Sequence, residues 1–391
     1  MKERASIKSP ISSMFFATLL CSSLVHAEVL FQESFDALPD WTSGLPENDL
    51  DGDGYPDRVQ DQPRGHKIPE GWYSIRQDPT WAPSRGYSGN HENIEVLGQN
   101  ADKARGGSGK SMVVWRDSTT GPDWMWNSDG IFSQYFPSGL TQVYASFWIK
   151  FDKNWTPLGK TGSTKIFRIE SWDQDGGFYD AFSDGHISSA FLWNYGFTDY
   201  GARNFLSFRA DPQQTNYLVV APAPVETPRG FDGGSLSLNF TDNIRDLNGD
   251  GVLDNKVTSL LDLISGKPIG SDGGLVSHNS LWGTSWHHME FFVKMNSQPG
   301  AMDGIAMQWM DGQLIFQNTK FPWMGSESPG GIKWNTVHFG GNSHFHAYPD
   351  SQQRQEWYAI DDITIRSDLP SNRSISAGAL APNPPSNLEI K

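Results

Sequence analysis

Alternating apolar and polar residues run through most of this 391-residue chain and predict β-strands. In residues 142–151, for example, apolar side chains at odd positions alternate with Tyr144, Ser146, Trp148 and Lys150. A period of two puts the two sets on opposite sides of a sheet. The same pattern predicts strands at residues 28–37, 111–115, 130–136, 142–151, 164–172, 189–195, 204–209, 217–220, 286–296, 304–309, 313–318, 336–340 and 356–365.

Two stretches, residues 38–110 and 221–280, contain few apolar runs and are predicted to be loop-rich. The best helix candidate, residues 257–264, is short. Forty glycines and 24 prolines punctuate the chain, which is typical of many short strands joined by turns. These features predict an all-β fold, with one two-sheet antiparallel sandwich over residues 28–366. Residues 367–391 are rich in Ser, Asn and Pro and are predicted to be a linker or a disordered tail.

The first 27 residues have the three parts of a secretory signal peptide. Lys2, Arg4 and Lys8 precede an apolar stretch over residues 11–25, and Ala27 ends a Val-His-Ala cleavage site. The apolar stretch is shorter than the roughly 20 residues of a membrane-spanning helix. We therefore expect cleavage after Ala27 and a secreted or periplasmic protein. Cys21, the only cysteine, lies in this segment, so the predicted mature protein has no disulfide.

The charge of the chain narrows the choice of partners. The net charge is −15, and removal of residues 1–27, which carry three bases and one acid, makes it −17. A protein this acidic repels nucleic acid and anionic lipid, so we expect neither as a partner. The same charge disfavours a polyanionic substrate at long range unless local cations or bound Ca²⁺ offset it. We expect the protein to act as a monomer.

Two loops have the spacing of calcium sites. Carboxylate or amide oxygens at positions 1, 3, 5 and 9, a glycine at position 6 and a backbone carbonyl at position 7 wrap one hard cation. Neither loop has Glu at position 12, so we expect two structural Ca²⁺ ions of the extracellular kind, although an acidic turn without metal is the alternative. The predicted ligands are Asp49, Asp51, Asp53, Tyr55 and Asp57 in one loop, and Asp246, Asn248, Asp250, Val252 and Asp254 in the other.

Three segments carry a resemblance to a known fold. They are VYASFWIKFDKNW at residues 143–155, WHHMEFFVKMN at 286–296 with the W-x-D-G hairpin at 309–312, and WYAIDDITI at 357–365. Here the chain resembles the concanavalin A-like lectin/glucanase jelly roll, most of all secreted polysaccharide lyases of the glucuronan-lyase and heparinase kind. The resemblance covers about residues 130–366. It implies a jelly roll, which the predicted calcium loops would brace, and an enzyme that cleaves a polysaccharide.

The chain departs from the catalytic motifs of related families. The E-x-D-x-E motif of the glucanases is absent, because the nearest stretch, residues 170–175, has a different spacing. The Y-x-K-x-G-x-Y motif of alginate lyases is absent as well. No family's catalytic residues can therefore be transferred to this chain by motif, and candidates must come from the strand pattern.

Alternation places the charged residues of several strands on one side of each strand. Arg168, Glu170 and Trp172 share one side of their strand, and His288 and Lys294 share one side of theirs. If these strands lie in one sheet, their side chains line a groove in which aromatic rings stack on sugars. Ordinary hydrated outer faces would give the same pattern. The remaining carbohydrate-binding candidates are Trp148, Asn194, Gln308, His344 and His346.

The expected reaction is β-elimination on a polysaccharide that contains uronic acid. Such a lyase neutralises the carboxylate, removes the C5 proton and protonates the leaving oxygen. The predicted catalytic set is Arg168, Tyr195, His288 and Lys294. Two alternatives remain: a non-catalytic glycan-binding protein that uses the same groove, and a glycoside hydrolase that uses the strand-borne pair Glu170 and Glu290. His344 and His346 also have the spacing of half a Zn²⁺ site.

Overall fold

The structure is a computed structural model that describes residues 28–53, 65–85, 90–117, 125–155, 162–174, 177–179, 186–198, 201–211, 235–238, 278–346 and 348–375. Several predicted features lie outside these residues. They are the signal peptide at 1–27, the strand at 217–220, the helix at 257–264, the second calcium loop at 246–254, and residues 376–391 of the tail.

Eighteen strands are present in the described part of the chain. Their bounds are β1 Val29–Glu33, β2 Trp41–Thr42, β3 Ser74–Gln77, β4 Ile94–Val96, β5 Met112–Asp117, β6 Met125–Asn127, β7 Gly130–Leu140, β8 Gln142–Phe151, β9 Gly162–Trp172, β10 Ile187–Thr198, β11 Gly201–Arg209, β12 Ser235–Leu238, β13 His287–Lys294, β14 Gly304–Met310, β15 Gln313–Phe321, β16 Trp334–Gly340, β17 Ser343–Phe345 and β18 Gln355–Arg366. One short α-helix, α1, spans His278–Leu281. Short 3-10 helices span Pro46–Asn48, Pro79–Trp81, Pro83–Arg85, Gly98–Lys103 and Asp350–Gln352.

The strands form two sheets, and every strand pair is antiparallel. The first sheet has the order β15-β14-β13-β8-β18-β5-β4-β2, with β1 beside β18. The second has the order β12-β11-β10-β9-β16-β7-β3, and β17 joins β9 to β6. Neighbours in each sheet are mostly distant in sequence, so long connections cross between the sheets.

An aromatic core holds the two sheets together. Phe147 of the first sheet contacts Phe167, Trp193 and Phe339 of the second, and it stacks on Phe291 beside it, with ring centroids 5.9 Å apart. All five side chains are buried in one hydrophobic cluster. Burying a large apolar side chain contributes about 1.5–3 kcal/mol, so this cluster explains why the inward side of each strand is apolar.

The predicted all-β, two-sheet antiparallel sandwich is confirmed, and its form is consistent with a jelly roll. The region 38–110, predicted to be loop-rich, also contains β2, β3 and β4, which have only two to four residues each and are too short to show alternation. Within the described part of the chain, no helix has the length and apolar character needed to cross a membrane.

Candidate functional site

The outer side of the second sheet carries a cluster of charged side chains. In β9, Phe167 and Ile169 face the core. Arg168 and Glu170, which alternate with them along the strand, therefore face outward. Strand pairing sets His338 of β16 beside Arg168, and Ser133 of β7 beside His338. These four polar residues therefore lie on neighbouring strands of one face.

A chain of close contacts links these residues. Nε2 of His338 lies 3.1 Å from a Glu170 carboxylate oxygen. The two atoms are close enough to interact electrostatically, but they are not aligned for a good hydrogen bond. Nδ1 of His338 lies 2.7 Å from the Ser133 hydroxyl oxygen. Ser133 is 3.2 Å from the Tyr179 hydroxyl oxygen, and Tyr179 donates to the Ser74 hydroxyl at 2.8 Å. We assign the Nε2–H tautomer to His338 because it puts the proton toward the carboxylate and leaves Nδ1 to accept from Ser133.

Three cations surround this chain of contacts. Arg76 pairs with Asp129 at 2.8 Å, and Arg168 donates to the backbone carbonyl of Tyr179 at 2.8 Å. Arg76, Arg168 and Lys165 all act electrostatically on Asp129. Although the whole protein is acidic, this face therefore carries three local cations, of which Arg76 lies beside Asp129 and Arg168 lies 4.0 Å from Glu170.

The cluster is buried beneath a short covering segment. Arg168, Glu170 and His338 are each no more than 1% exposed. Phe178 and Tyr179 pack on this face against Trp172 and Leu192. In this structure these two side chains cover the cluster.

Burial shapes the protonation of the cluster. It lowers the pKa of His338, an effect that Glu170 opposes and the nearby arginines reinforce. It also raises the pKa of the Tyr179 hydroxyl above its ordinary value. At neutral pH the imidazole is therefore neutral and the phenol keeps its proton, which are the states required of a general base and a general acid.

Several buried polar atoms on this face accept or donate no hydrogen bond within the described part of the chain. They include both carboxylate oxygens of Asp129 and of Glu170, Nε2 of His338 and the side-chain oxygen of Asn194. Most buried polar groups in proteins are hydrogen-bonded. A face on which several are incompletely bonded is suited to a polar ligand or to water.

Five of the predicted carbohydrate or catalytic residues lie on this face. Arg168 and Glu170 belong to the cluster, and register places Asn194 of β10 and His344 of β17 on the same side. Trp172 is on this side as well, but it is buried 4.8 Å from Phe178, between ring centroids, and is not an exposed sugar platform. His346 is half-buried just after β17.

The predicted catalytic set does not meet in one groove, and that expectation is corrected. Tyr195 faces the interior of the sandwich, where its hydroxyl lies 2.8 Å from Nδ1 of His278. His288 and Lys294 are on β13 of the first sheet, on the outer side opposite to Arg168. The cause is that alternation assigns a side of a strand but does not assign the strand to a sheet.

Three further assignments change with the topology. Gln308 faces the interior, where it exchanges hydrogen bonds with the Asn204 amide at 2.8 and 3.1 Å. Trp148 lies on the outer side of the first sheet, stacked on His288. Glu290 accepts from Tyr144 on that same side, whereas Glu170 is on the second sheet. The predicted hydrolase pair of Glu170 and Glu290 is therefore wrong, because the sandwich separates the two carboxylates.

The first predicted calcium loop is described as far as residue 53. Carboxylate oxygens of Asp49, Asp51 and Asp53 all lie within 4.8 Å of one another, and the loop backbone donates to Asp49 and Asp51. This donor set fits a hard, oxygen-binding cation such as Ca²⁺. Tyr55, Asp57 and the whole second loop, from Asp246 to Asp254, lie outside the described residues.

Sequence reasoning missed four members of the cluster, namely Arg76, Ser133, Tyr179 and His338. Ser133 and His338 lie in strands that mix apolar with other polar residues, so the pattern marks neither of them and indicates no particular partner. Arg76 lies on a four-residue strand in a region predicted to be loop. Tyr179 reaches the site from a connection, so no periodicity marks it.

No protein-family model matches this chain, and no curated protein matches its sequence. The chain is similar to three solved alginate lyases. Aly36B in complex with alginate tetrasaccharide has 9% identity and a TM-score of 0.41 over 85% of this chain and 95% of that one. The PL-14 enzyme from Aplysia kurodai has 12% identity and a TM-score of 0.38 over 70% and 86%. vAL-1 from Chlorella virus has 9% identity and a TM-score of 0.39 over 79% and 99%.

A botulinum neurotoxin type C structure also matches, with 11% identity and a TM-score of 0.34 over 81% of this chain and 49% of that one. Because all four TM-scores are below 0.5, these likenesses assign no function to the chain. The expected kinship with glucuronan lyases and heparinases stays a prediction.

Proposed function

We propose that this protein is an exported lyase that cleaves a uronic-acid-containing polysaccharide by β-elimination on the outer side of the second sheet. The observation that carries the proposal is the contact chain Glu170, His338, Ser133 and Tyr179, with Arg76 and Arg168 beside it. A neutral imidazole, a protonated phenol and fixed cations are the three chemical elements that this reaction needs.

Charge stabilisation is the first requirement of the elimination. Neutralising the carboxylate of a uronate makes its C5 proton more acidic. Arg168 is buried and held by the Tyr179 carbonyl, and Arg76 is held by Asp129. We assign these two guanidinium groups to the substrate carboxylate. A guanidinium suits this role because its planar donors match the two carboxylate oxygens.

Proton transfer is the second requirement. We assign Nδ1 of His338 as the base that removes the C5 proton, with the Ser133 hydroxyl turned to donate to Tyr179 instead of to Nδ1. The lowered pKa of His338 keeps the imidazole neutral at neutral pH. The C5 electrons form the C4–C5 double bond, and the C4–O bond breaks. Tyr179 gives its proton to the leaving oxygen. The Glu170 carboxylate stabilises the imidazolium formed in the first step.

Export and calcium binding complete the proposal. The signal-peptide pattern of residues 1–27 supports a secreted or periplasmic location. The three clustered carboxylates of Asp49, Asp51 and Asp53 support one structural Ca²⁺ ion, and the repeated spacing at 246–254 supports a second. Any such ion would brace a loop rather than take part in proton transfer.

A product assay tests this function. The purified mature protein is incubated with a panel of acidic polysaccharides, such as alginate, glucuronan and polygalacturonate, and with neutral polysaccharides. We expect the ultraviolet absorbance of a C4–C5 unsaturated uronate on at least one acidic polymer and on no neutral one. New reducing ends without that absorbance, or binding without any product, would contradict the lyase proposal.

Matched variants tie the activity to the site. We expect His338→Gln and Tyr179→Phe each to lower kcat by about 10²–10⁴-fold, because each removes a proton-transfer group. His278→Gln and Tyr348→Phe change another buried histidine and another buried, hydrogen-bonded tyrosine away from the site. Both controls should keep kcat within about threefold of wild type. Equal losses in the two pairs would remove His338 and Tyr179 from the mechanism.

The non-catalytic glycan-binding function remains the second candidate. It is favoured by the half-buried tryptophans on the outer side of the first sheet. The two candidates separate in the product assay, since only a lyase leaves the unsaturated sugar.

A further inference from the structure

Three half-buried tryptophans share the outer side of the first sheet, opposite to the His338 cluster. Trp357 of β18 pairs with Trp115 of β5, and Trp148 lies on β8. Trp286, just before β13, packs with Trp357 against a cluster that contains Ala359. We call Trp286, Trp357 and the intervening Lys150 the aromatic face.

Cations gather on the aromatic face although the protein as a whole is acidic. Nζ of Lys150 lies 5.9 Å from the centroid of the Trp357 ring, and Nζ of Lys103 lies 5.6 Å from the same centroid. Lys103 is paired with Asp102 at 3.0 Å. Lys150 makes no ion pair with any residue in the described ranges, so its charge is available to an anionic ligand.

Trp148 does not belong to the aromatic face, because the side chains of Arg105 and His288 already cover its ring. The Arg105 guanidinium lies 4.1 Å from its ring centroid, and His288 stacks on it at 5.0 Å. Trp115 is likewise covered by His91, with ring centroids 3.6 Å apart. These stacks are complete within the protein, so of the three half-buried rings only Trp286 and Trp357 have no ring stacked face to face on them within the described residues.

The surroundings of Trp357 and Trp286 suit a sugar chain. Register places Lys150 beside Ala359, which is buried where Trp286 and Trp357 pack. Aromatic rings present flat apolar surfaces to the C–H faces of pyranoses, and a neighbouring ammonium pairs with a uronate carboxylate. A neutral glycan would use the rings alone and would leave Lys150 without a partner.

We propose that the aromatic face is a second, non-catalytic binding site for an acidic polysaccharide. Sugar rings stack on Trp286 and Trp357, and Lys150 pairs with a carboxylate of the same chain. The site holds polymer on the side of the sandwich opposite to His338. It goes beyond the proposed lyase function, because retention of polymer requires no cleavage.

Affinity electrophoresis in native gels tests the aromatic face. The full mature chain, carrying His338→Gln to prevent turnover, is run in gels that contain alginate, polygalacturonate or neutral dextran. We expect retardation by an acidic polymer and none by dextran. Trp357→Ala should weaken the apparent affinity about tenfold, and Lys150→Gln about threefold.

Controls separate the aromatic face from general electrostatics and from loss of folding. Lys320→Gln removes an exposed lysine from β15 of the same sheet, away from the aromatic rings, and should leave retardation unchanged. Thermal unfolding verifies that each variant is folded, and Lys150→Gln carries the test if Trp357→Ala is unstable. Equal retardation by dextran, an equal effect of Lys320→Gln, or no retardation at all would overturn the proposal. Retardation without any unsaturated product from the wild type would leave it standing while the lyase function fails.

Discussion

His278 shows how one residue's surroundings set its titration. The imidazole lies between the Tyr195 hydroxyl at 2.8 Å and the backbone carbonyl of Asp152 at 3.3 Å. Burial is the largest effect, and it lowers the pKa of His278 from 6.5 to about 4. The charged form is therefore disfavoured in the folded protein, because its site is largely removed from water.

This pKa shift predicts a loss of stability in mild acid. The folded pKa lies below the unfolded one, so the unfolded chain takes up the proton first as pH falls from about 6.5 to about 4. His278 should then lower the free energy of unfolding by about 3 kcal/mol across that window, and by no more below it. Denaturant unfolding at several pH values measures the effect.

The variant His278→Gln provides the control for this prediction. It removes the titrating group, so its free energy of unfolding should fall less steeply between pH 6.5 and pH 4 than that of wild type. His338 contributes with the same sign in both proteins, because burial lowers its pKa as well. Identical pH profiles for the two proteins would show that His278 does not carry the effect.

At the scale of single elements, each strand places different chemistry on its two sides. In β9 the inward side builds the core, while Arg168 and Glu170 on the outward side build the candidate site. Close strand approach also constrains the backbone: Gly340, at the end of β16, has φ +98°, and a Cβ there would overlap the carbonyl oxygen of Gly130. The site thus rests on strand pairing that tolerates no larger residue at this point.

The loop that contains Asp49, Asp51 and Asp53 carries the prediction of a bound ion. Because Ca²⁺ would bind only the folded loop, a concentration of 100 times Kd should stabilise the protein by about 2.7 kcal/mol. Thermal unfolding with Ca²⁺ and with a chelator measures the difference in Tm.

Three variants assign the calcium effect to a loop. Asp51→Asn and Asp250→Asn should each reduce the calcium-dependent rise in Tm, because each removes one charged ligand from a predicted loop. Asp102→Asn changes an exposed aspartate outside both loops and should leave the rise intact. A wild-type Tm that does not respond to Ca²⁺ would show that the acidic loops are metal-free turns.

At the scale of the whole molecule, long-range and local electrostatics have opposite signs. The chain carries a net charge of −15, yet Arg76, Lys165 and Arg168 meet on the outer side of the second sheet. If the proposed lyase function holds, an acidic polymer meets the net negative charge at a distance and these local cations at the site. Salt separates the two, since it screens distant charges before it weakens contacts of a few ångströms.

This balance predicts the salt dependence of the proposed lyase. Between about 10 mM and 100 mM NaCl the Debye length falls from about 30 Å to about 10 Å. The value of kcat/KM on a long acidic polysaccharide should rise over this range as the net repulsion is screened. A short uronate oligosaccharide, which carries less charge, should show a smaller rise. A steady fall for the long polymer would mean that local contacts dominate association.

The sequence by itself determined the class of fold and the side of each strand on which a residue lies. Alternation is a local property of period two, so it correctly placed Arg168 and Glu170 on one side of β9 and buried Phe147 on the inward side of β8. The same pattern determined that the chain forms a sandwich of strands. The apolar side of each strand is removed from water only when two sheets pack face to face.

Only the tertiary structure decided which residues share a site. His338 joins Arg168 because β16 pairs with β9, and His288 leaves it because β13 pairs with β8. These pairings depend on contacts between segments far apart in the chain, about which a repeat of two residues carries no information. The physical reason is that a strand's two sides are set by its own backbone, whereas its neighbours are set by how the whole core packs.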